Sequence, residues 1–349
     1  MTADSQPKHD SFLLVSFGGP EGREDVIPFL ENVLRGKNVP RARMLEVAEH
    51  YYHFEGVSPI NDQNRALLAA LEAEFRSAGI DLPLYWGNRN WHPMLKDTLD
   101  EMWKAGHRHA LAFFTSIFSS YSGCRQYREN IAQARQALEG RAPRVDKLRN
   151  AFNHPLFIEA VADRIVEATA SHCGQADTAT VVLFTAHSIP IAMAQHSPYV
   201  AQLQESASLV AERLNIERWE VVYQSRSGPP AQPWLEPDVV ERARELAERG
   251  ARRLVVVPLG FVSDHIEVLF DLDTELKQEC DRLGVEIVRV PTVGTHPSFV
   301  RMIRMLVQER LDPSQQRPAI GRLPATPDEC PADCCLYPRP GIVSHSVEP

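Results

Sequence analysis

The chain has 349 residues, of which 44% are hydrophobic and 24% charged, a balance typical of a folded protein of about two domains. Its 37 basic and 46 acidic residues leave a formal net charge of −9, which argues against a nucleic-acid binder held by phosphate contacts. No run of 18 apolar residues occurs, so we expect no transmembrane helix. The polar start lacks a signal-peptide pattern, which predicts a cytoplasmic protein, with peripheral membrane contact left open.

Short apolar runs alternate along the chain with longer helical patterns, and several runs are apolar throughout. That pattern is typical of parallel strands buried on both faces of a sheet. We therefore predict an α/β fold with two similar halves, each a four-stranded parallel sheet flanked by helices. The predicted strands are 12–17, 82–86, 110–114, 145–149, 180–184, 220–224, 254–259 and 285–290. The predicted helices are 64–78, 93–105, 124–139, 155–171, 198–214, 236–250 and 272–283.

The predicted domains are residues 1–150, 151–312 and 313–349. The last of these is a tail of different composition, because it holds 8 of the 26 prolines. Three of the six cysteines also lie there, Cys330, Cys334 and Cys335. Clustered thiolates of this kind suit an iron–sulfur cluster or zinc. Zinc with His345 as a fourth ligand, and thiols without any metal, both stay open.

Candidate site residues follow the predicted strands, because ligands of parallel sheets bind beyond the carboxyl ends of the strands. His187 follows the fifth strand. Glu267, Asp271 and Glu275 follow the seventh strand at helical spacing i, i+4 and i+8. Such a row of acids could bind a cation or conduct protons; the alternative is a solvated acidic face at a helix start.

A nitrogen and a carboxylate from different strands would suit a divalent metal and proton abstraction. Two protein ligands form an open site, which suits a metal that is passed on rather than stored. The third strand leads into a segment rich in hydroxyl and aromatic groups, 115–127, which could hold a carboxylate or could be a serine-capped loop. Neither a dinucleotide fingerprint nor a phosphate-binding loop occurs.

Seven motifs, in chain order, resemble the ferrochelatase family. They are LVSFGGP at 14–20, GVSP at 56–59, GNRNW at 87–91, SSYSGCRQY at 119–127, TAHSIP at 185–190, YQSRSGP at 223–229 and GFVSDHIEVLFD at 260–271. The resemblance implies two Rossmann-like halves with a porphyrin cleft between them. It also implies insertion of Fe²⁺, as a substrate, into a porphyrin during haem synthesis. The wording of two motifs favours coproporphyrin III over protoporphyrin IX, and other haem-synthesis enzymes are expected partners.

The resemblance also implies roles for individual residues. His187 and Glu267 match the family's metal and proton residues, and Asp271 and Glu275 match acids that line a metal or proton path. Ser58 and Tyr127 match residues that hold porphyrin propionates, and Arg35 is a further candidate. The aromatic lining of the cleft is expected from Phe17, which serves only for packing, and from Phe114, Tyr121 and Trp234.

Some ferrochelatases carry a [2Fe-2S] cluster held by three tail cysteines and one internal cysteine. The resemblance places the internal ligand near Ala160, which is not a cysteine, so the fourth ligand is unassigned. Cys124, Cys173 and Cys280 are the other cysteines. Two alternative functions stay open: a tetrapyrrole-binding module without chemistry, and a cobalt chelatase of similar fold.

Overall fold

The computed structural model describes residues 9–37, 39–170, 179–229 and 231–337. In those ranges the strands are β1 Ser11–Ser16, β2 Leu84–Asn88, β3 His109–Phe114, β4 Arg144–Lys147, β5 Thr180–His187, β6 Trp219–Gln224, β7 Arg253–Val257 and β8 Glu286–Arg289. They form two four-stranded sheets, of order β2-β1-β3-β4 and β6-β5-β7-β8. Every pair of neighbouring strands is parallel, so the carboxyl ends of each sheet share one edge.

Helices connect the strands and cover both faces of each sheet. In the first half they are α1 Val26–Leu34, after a 3₁₀ turn at Arg23–Asp25, α2 Arg41–His53, α3 Ile60–Ser77, α4 Leu95–Lys104 and α5 Gln126–Ala137, after a π-helical turn at Tyr121–Arg125. In the second half they are α6 Pro155–Thr169, α7 Ile191–Ala194, α8 Tyr199–Leu214, α9 Val239–Glu248, α10 Ile266–Val268, which continues through a π-helical segment Leu269–Leu276 into α11 Lys277–Leu283, and α12 Pro297–Leu311.

The predicted α/β fold with two parallel-sheet halves is confirmed, and each predicted strand overlaps an observed one. No helix was predicted for α1, α2 or α12, and the structure corrects this. In α2 only Met44, Ala48 and Tyr51 are buried, so the helix lacks the wide apolar stripe that sequence patterns detect. Pro28 inside α1 is a residue that ordinarily breaks helices.

One hydrophobic core runs through both halves of the molecule. It contains Phe12 and Phe75 from the first half and Phe157 and Phe299 from the second. Helix α12 packs against both α3 and α6, which joins the two halves. Burial of side chains this large supplies the main favourable free energy of folding, at about 25 cal/mol per Å² of apolar surface.

The tail, residues 313–337 in the described part, contains no helix or strand. It lies against the segment that connects the two halves and forms hydrogen bonds with buried polar groups there. The Asn153 amide donates to the Leu323 carbonyl at 2.6 Å, and the Thr326 hydroxyl donates to the Asn150 carbonyl at 2.8 Å. Its backbone groups are thus partly satisfied by side chains rather than by a sheet.

None of the helices in the described ranges is both long and apolar enough to cross a bilayer.

Candidate active site

Two polar side chains meet where β5 ends and α10 begins. His187 is the last residue of β5, and Glu267 lies in the first turn of α10, after β7. Their Nε2 and Oε2 atoms are 3.6 Å apart, with 35% and 43% of the side chains exposed. The two groups therefore form a pair that an incoming ligand can reach.

The backbone sets the tautomer of His187. Its Nδ1 lies 2.5 Å from the Ser188 carbonyl oxygen, which can only accept, so Nδ1 carries a proton. The Tyr199 hydroxyl donates to the carbonyl of His187 itself at 3.0 Å. In the neutral imidazole, Nε2 therefore presents its lone pair toward Glu267.

Electrostatics couples the pair. Burial lowers the pKa of His187, but the hydrogen bond and charge of Glu267 outweigh this, so the pKa lies above its usual value. Burial raises the pKa of Glu267, but the hydrogen bond and charge of His187, aided by His265 and Lys37, bring it down to about 2. Glu267 is therefore anionic at neutral pH, and His187 is a stronger base than a free histidine.

The predicted row of acids continues behind this pair, along α10 and the π-helical segment. Burial is the main cause that raises the pKa of Asp271 to about 7, and the charges of Glu267 and Glu275 raise it further. The side chains of Ser225 and Gln224 donate to Asp271 Oδ2, the latter at 3.2 Å. The structure thus brings the three acids together, as the helical spacing predicts.

Helices of the first half close over the start of this row. Ile266 is buried in a cluster with Phe29 of α1 and Tyr51 of α2, and the His50 ring stacks on Phe270 with 3.7 Å between centroids. Burial raises the pKa of Tyr51 well above its usual value, and the charge of Glu267 adds to this. The candidate site is therefore built from both halves, as the resemblance implies, but these contacts of α1 and α2 were not expected because neither helix was predicted.

The residues expected to hold propionates lie in the first half and are largely buried. Tyr127 stacks on Phe114 with 5.0 Å between ring centroids. Ser58 is 4% exposed, and a Cβ added at Gly19 would lie only 2.6 Å from the Ser58 Cβ, so that glycine permits a close approach. Arg35 is exposed at the end of α1 and donates to Asn32.

The expected aromatic lining divides into exposed and buried members. Phe17 is partly exposed and packs edge-on against Phe29, at 6.2 Å between ring centroids. The hydroxyl of Tyr121 donates to Glu129 at 2.9 Å. Trp234 is only 8% exposed and forms a backbone bridge with Pro190, so it lies beneath the loop that follows His187.

Arg89, in the GNRNW motif, lies beside two of the expected site residues but was not itself among the predicted ones. Its guanidinium lies 4.4 Å from the centroid of the Tyr127 ring and 5.5 Å from that of Phe17. Burial lowers its pKa, and its Nε donates to Asn130 at 2.7 Å. Among the residues that the structure describes, this guanidinium forms no ion pair with a carboxylate.

The cysteines of the tail meet Cys124, just before α5. The thiol of Cys124 forms a hydrogen bond with Cys330, which together with burial raises the pKa of Cys124 well above its usual value. Cys330 also contacts Cys334, whose Sγ is 3.6 Å from that of Cys335. The structure therefore brings Cys124 next to the tail cysteines, whereas Ala160, the position expected for an internal ligand, is wholly buried in α6.

Two four-stranded parallel sheets arranged in this way form the chelatase fold. The structure of SirB from Bacillus subtilis with Fe³⁺ has the same fold, with a TM-score of 0.54 and 15% identity, over 86% of this chain and 97% of that one. CbiX, described as the terminal enzyme of sirohaem biosynthesis in denitrifying bacteria, gives a TM-score of 0.51 at 15% identity, over 86% of this chain and all of that one.

Sequence comparison shows which family of proteins with this fold the chain resembles. The ferrochelatase family model matches residues 9–311. A ferrochelatase of Rhodopirellula baltica is 60% identical, over 95% of this chain and 94% of its own. Coproporphyrin III ferrochelatases of Frankia alni and Streptomyces coelicolor are 52% and 47% identical, each over 97% of this chain, and over 90% and 96% of their own.

The chain therefore belongs to the ferrochelatase family, as the motifs predict. It is an enzyme that inserts Fe²⁺ into a porphyrin in haem biosynthesis.

Proposed function

We propose that His187 and Glu267 carry out the metal insertion. The observation that carries this proposal is the pair itself, 3.6 Å apart and partly exposed at the strand ends. Inserting Fe²⁺ releases two pyrrole protons, which calls for a base of near-neutral pKa. The lone pair of His187 Nε2 would accept a pyrrole proton, and the anionic Glu267 would attract the cation and balance the charge of the imidazolium.

Asp271 and Glu275 would then form the path by which protons leave or metal arrives. Asp271 suits a relay because its pKa, about 7, allows it to accept and release a proton near neutral pH. Burial also raises the pKa of Glu275, as does the charge of Asp238. Because both pKa values are raised, Asp271 and Glu275 could each accept a proton and pass it on.

A substitution of His187 tests this assignment. We expect His187→Ala to bind porphyrin with an unchanged Kd and to lose metalation, measured by stopped-flow absorbance with Fe²⁺ under anaerobic conditions. His196→Ala, at an exposed histidine bonded to the Ala192 carbonyl, is the matched control and should turn over normally. Normal turnover by the His187 variant would refute the catalytic role.

We further propose coproporphyrin III as the preferred porphyrin. Relatives of that name match nearly the full chain at about half identity. Coproporphyrin III carries two more propionates than protoporphyrin IX, and each buried carboxylate needs a cation or hydrogen-bond donors. Arg89, beside Tyr127 and Phe17, is a cation in the first half that could take one of them.

Turnover of the two porphyrins by one preparation tests the preference. We expect kcat/KM to favour coproporphyrin III at least ten-fold. Arg89→Gln should raise KM for coproporphyrin III by about ten-fold, the effect of losing one charged hydrogen bond, and change KM for protoporphyrin IX less. Equal kcat/KM values for the two porphyrins would contradict the proposal.

We also propose that Cys124, Cys330, Cys334 and Cys335 hold a [2Fe-2S] cluster. Four cysteines from two distant parts of the chain come into contact, which is the ligand set such a cluster requires. Among the residues whose positions are described, no three of these sulfurs lie within 4.8 Å of one another. That spread suits two irons better than one tetrahedral zinc. His345, the alternative zinc ligand, and Cys173 lie outside the described residues.

The cluster proposal is tested on protein purified without oxygen. We expect visible absorbance of a [2Fe-2S] centre, with two irons and two sulfides per chain, and loss of both in Cys124→Ser. Cys280→Ser is the matched control, because Cys280 is buried in the core of the second half. Colourless protein containing zinc, or none of these elements, would refute the cluster.

A cytoplasmic location, peripheral membrane contact and association with other haem-synthesis enzymes remain part of the proposal. Cell fractionation and co-purification with the tagged full chain would test them.

A further inference from the structure

A second cluster of metal-ligating side chains lies away from the candidate active site. His9 lies just before β1, His109 is the first residue of β3, and Asp146 lies in β4. Because these strands are parallel, the amino ends of β1 and β3 lie at the edge of the first sheet opposite to the carboxyl ends. Neither the reaction nor the tail cysteines use this edge.

The three side chains converge on one atom. His9 Nε2 lies 3.1 Å and His109 Nε2 3.0 Å from Asp146 Oδ2, and the two imidazole centroids are 4.1 Å apart. All three ligand atoms lie within 4.8 Å of one another. The side chains retain only 11%, 6% and 13% of their exposed surface, so their positions are fixed by packing.

Two arginines form ion pairs with the same carboxylate. Arg310 of α12 contacts Asp146 Oδ2 at 3.0 Å, and the Arg144 Nε contacts Oδ1 at 3.0 Å. One carboxylate oxygen has about two lone-pair directions, yet Oδ2 has three nitrogens within 3.1 Å. The number of nitrogens around Oδ2 therefore exceeds the number of hydrogen bonds that this oxygen ordinarily accepts.

We propose that His9, His109 and Asp146 form a site for a borderline divalent cation such as Fe²⁺, Co²⁺ or Zn²⁺. Two imidazoles and one carboxylate are a donor set that such ions prefer. Ligand atoms about 3 Å apart need to move only slightly to surround an ion at about 2.0–2.1 Å from each. Arg144 and Arg310 would orient the carboxylate, as hydrogen-bonding groups behind metal ligands commonly do.

Charge sets the expected strength of the site. The two guanidinium groups offset the charge of Asp146, which weakens its attraction for a cation. We therefore expect micromolar rather than nanomolar affinity. An ion there would join the segment before β1 to β3, β4 and, through Arg310, to α12, and it would stabilise the folded state by mass action.

Binding of Co²⁺ alone tests the site, because its spectrum distinguishes ligands. Nitrogen and oxygen ligands give visible d–d bands, whereas thiolates add a strong near-ultraviolet band. The parent is the His187→Ala/Glu267→Gln variant of the full chain, in which the candidate active site is removed. Equilibrium dialysis and absorbance are expected to show one Co²⁺ with the nitrogen–oxygen spectrum.

Adding His9→Ala or His109→Ala to the parent should weaken this Kd at least ten-fold and abolish the bands. His107→Ala is the matched control, because His107 lies two residues away and faces Asp10 at 3.8 Å. If His109→Ala fails to fold, as judged by circular dichroism, His9→Ala gives the answer, supported by the loss of a Co²⁺-induced rise in Tm. Equal Co²⁺ binding by all variants, or no Co²⁺ bound outside the thiolates, would overturn the proposal.

Discussion

Glu267 sets the basicity of His187 in the candidate active site. Its charge holds the pKa of His187 above normal, so Glu267→Gln should lower that pKa and shift the acid limb of the pH–rate profile to lower pH. We expect kcat to fall by about 10²–10⁴-fold, the range for loss of acid–base assistance, with porphyrin affinity unchanged. The measurement is kcat against pH; a rate within a few-fold of wild type and an unmoved acid limb would contradict the assignment.

Asp271 gives a stability prediction at the same scale. Its pKa in the folded state, about 7, lies above the ordinary value of 3.8, so folding favours the protonated form. The resulting stability is complete below pH 3.8 and is lost as the pH rises to 7. Relative to wild type, Asp271→Asn should therefore gain stability progressively between pH 4 and 7, by on the order of 2–4 kcal/mol, and gain no more above pH 7.

Urea unfolding at pH 5, 6, 7 and 8 measures this gain. Asp273→Asn on the same segment shows the effect of removing an acid that has a cationic partner, because Arg289 Nε lies 3.3 Å from Asp273 Oδ1. A difference between wild type and Asp271→Asn that does not change with pH would show that Asp271 titrates normally in the folded protein.

Single residues differ in how far the sequence can predict them. His187 and Glu267 could be paired because parallel strands deliver their following residues to one edge. Cys124 could not be matched to Cys330, because that contact depends on the path of a tail that has neither helix nor strand. Arg89 was missed because an arginine after a strand has no distinctive spacing, and only its neighbours Tyr127 and Phe17 reveal its place.

At the scale of elements, the tail connects the two sides of the molecule. The Arg125 guanidinium donates to the Ala332 and Cys334 carbonyls at 2.6 and 3.2 Å. At the end of the described tail, Tyr337 contacts Tyr121, with 5.9 Å between ring centroids, and accepts a hydrogen bond from Gln232 at 3.0 Å. The tail therefore holds together segments that follow β3 and β6.

Loss of Arg125 should release this part of the tail. Hydrogen bonds from a charged donor contribute about 1.5–3 kcal/mol, so we expect Arg125→Gln to raise the rate of proteolytic cleavage within residues 326–337 by at least ten-fold. Mass spectrometry of the early fragments locates the cut. Arg128→Gln in α5, three residues further along the chain, is the control, and equal cleavage of the two variants would show that Arg125 does not hold the tail.

Helices and strands were predictable where one face or the whole element is buried. They were less predictable where an element packs against both halves of the molecule. Several strands, such as β1 and β3, are buried at every position, so the number of strands and their order along the chain followed from pattern alone. Helix α2 buries only three residues, and α12 contacts both halves, so neither shows the wide apolar stripe of a helix lying on one sheet. The π-helical turns could not be foreseen, since they change hydrogen bonding without changing residue type.

At the scale of the whole molecule, one hydrophobic cluster is shared between the halves, and each half has a further cluster of its own. The division at residues 150 and 312 stays a prediction of chain organisation. The continuity of the core through Phe12, Phe75, Phe157 and Phe299 favours unfolding in a single step. Sequence patterns predict how many strands each half has, but the fit of one half against the other depends on side-chain shape.

A buried ion pair at this junction gives a test of the shared core. Arg149, at the end of the first half, forms two hydrogen bonds with Glu309 of α12, at 2.7 and 2.9 Å, and both side chains are at most 3% exposed. Breaking a buried pair leaves an uncompensated charge, so Glu309→Gln should cost about 3–5 kcal/mol of unfolding free energy.

The double variant Arg149→Met/Glu309→Leu should recover most of that loss, because apolar groups of similar volume need no partner. Urea unfolding followed by both tryptophan fluorescence and far-ultraviolet circular dichroism measures the effect. A shared core predicts that the two signals coincide in every variant. Separate transitions in Glu309→Gln would instead show that the halves are stable independently and that α12 adds only local stability.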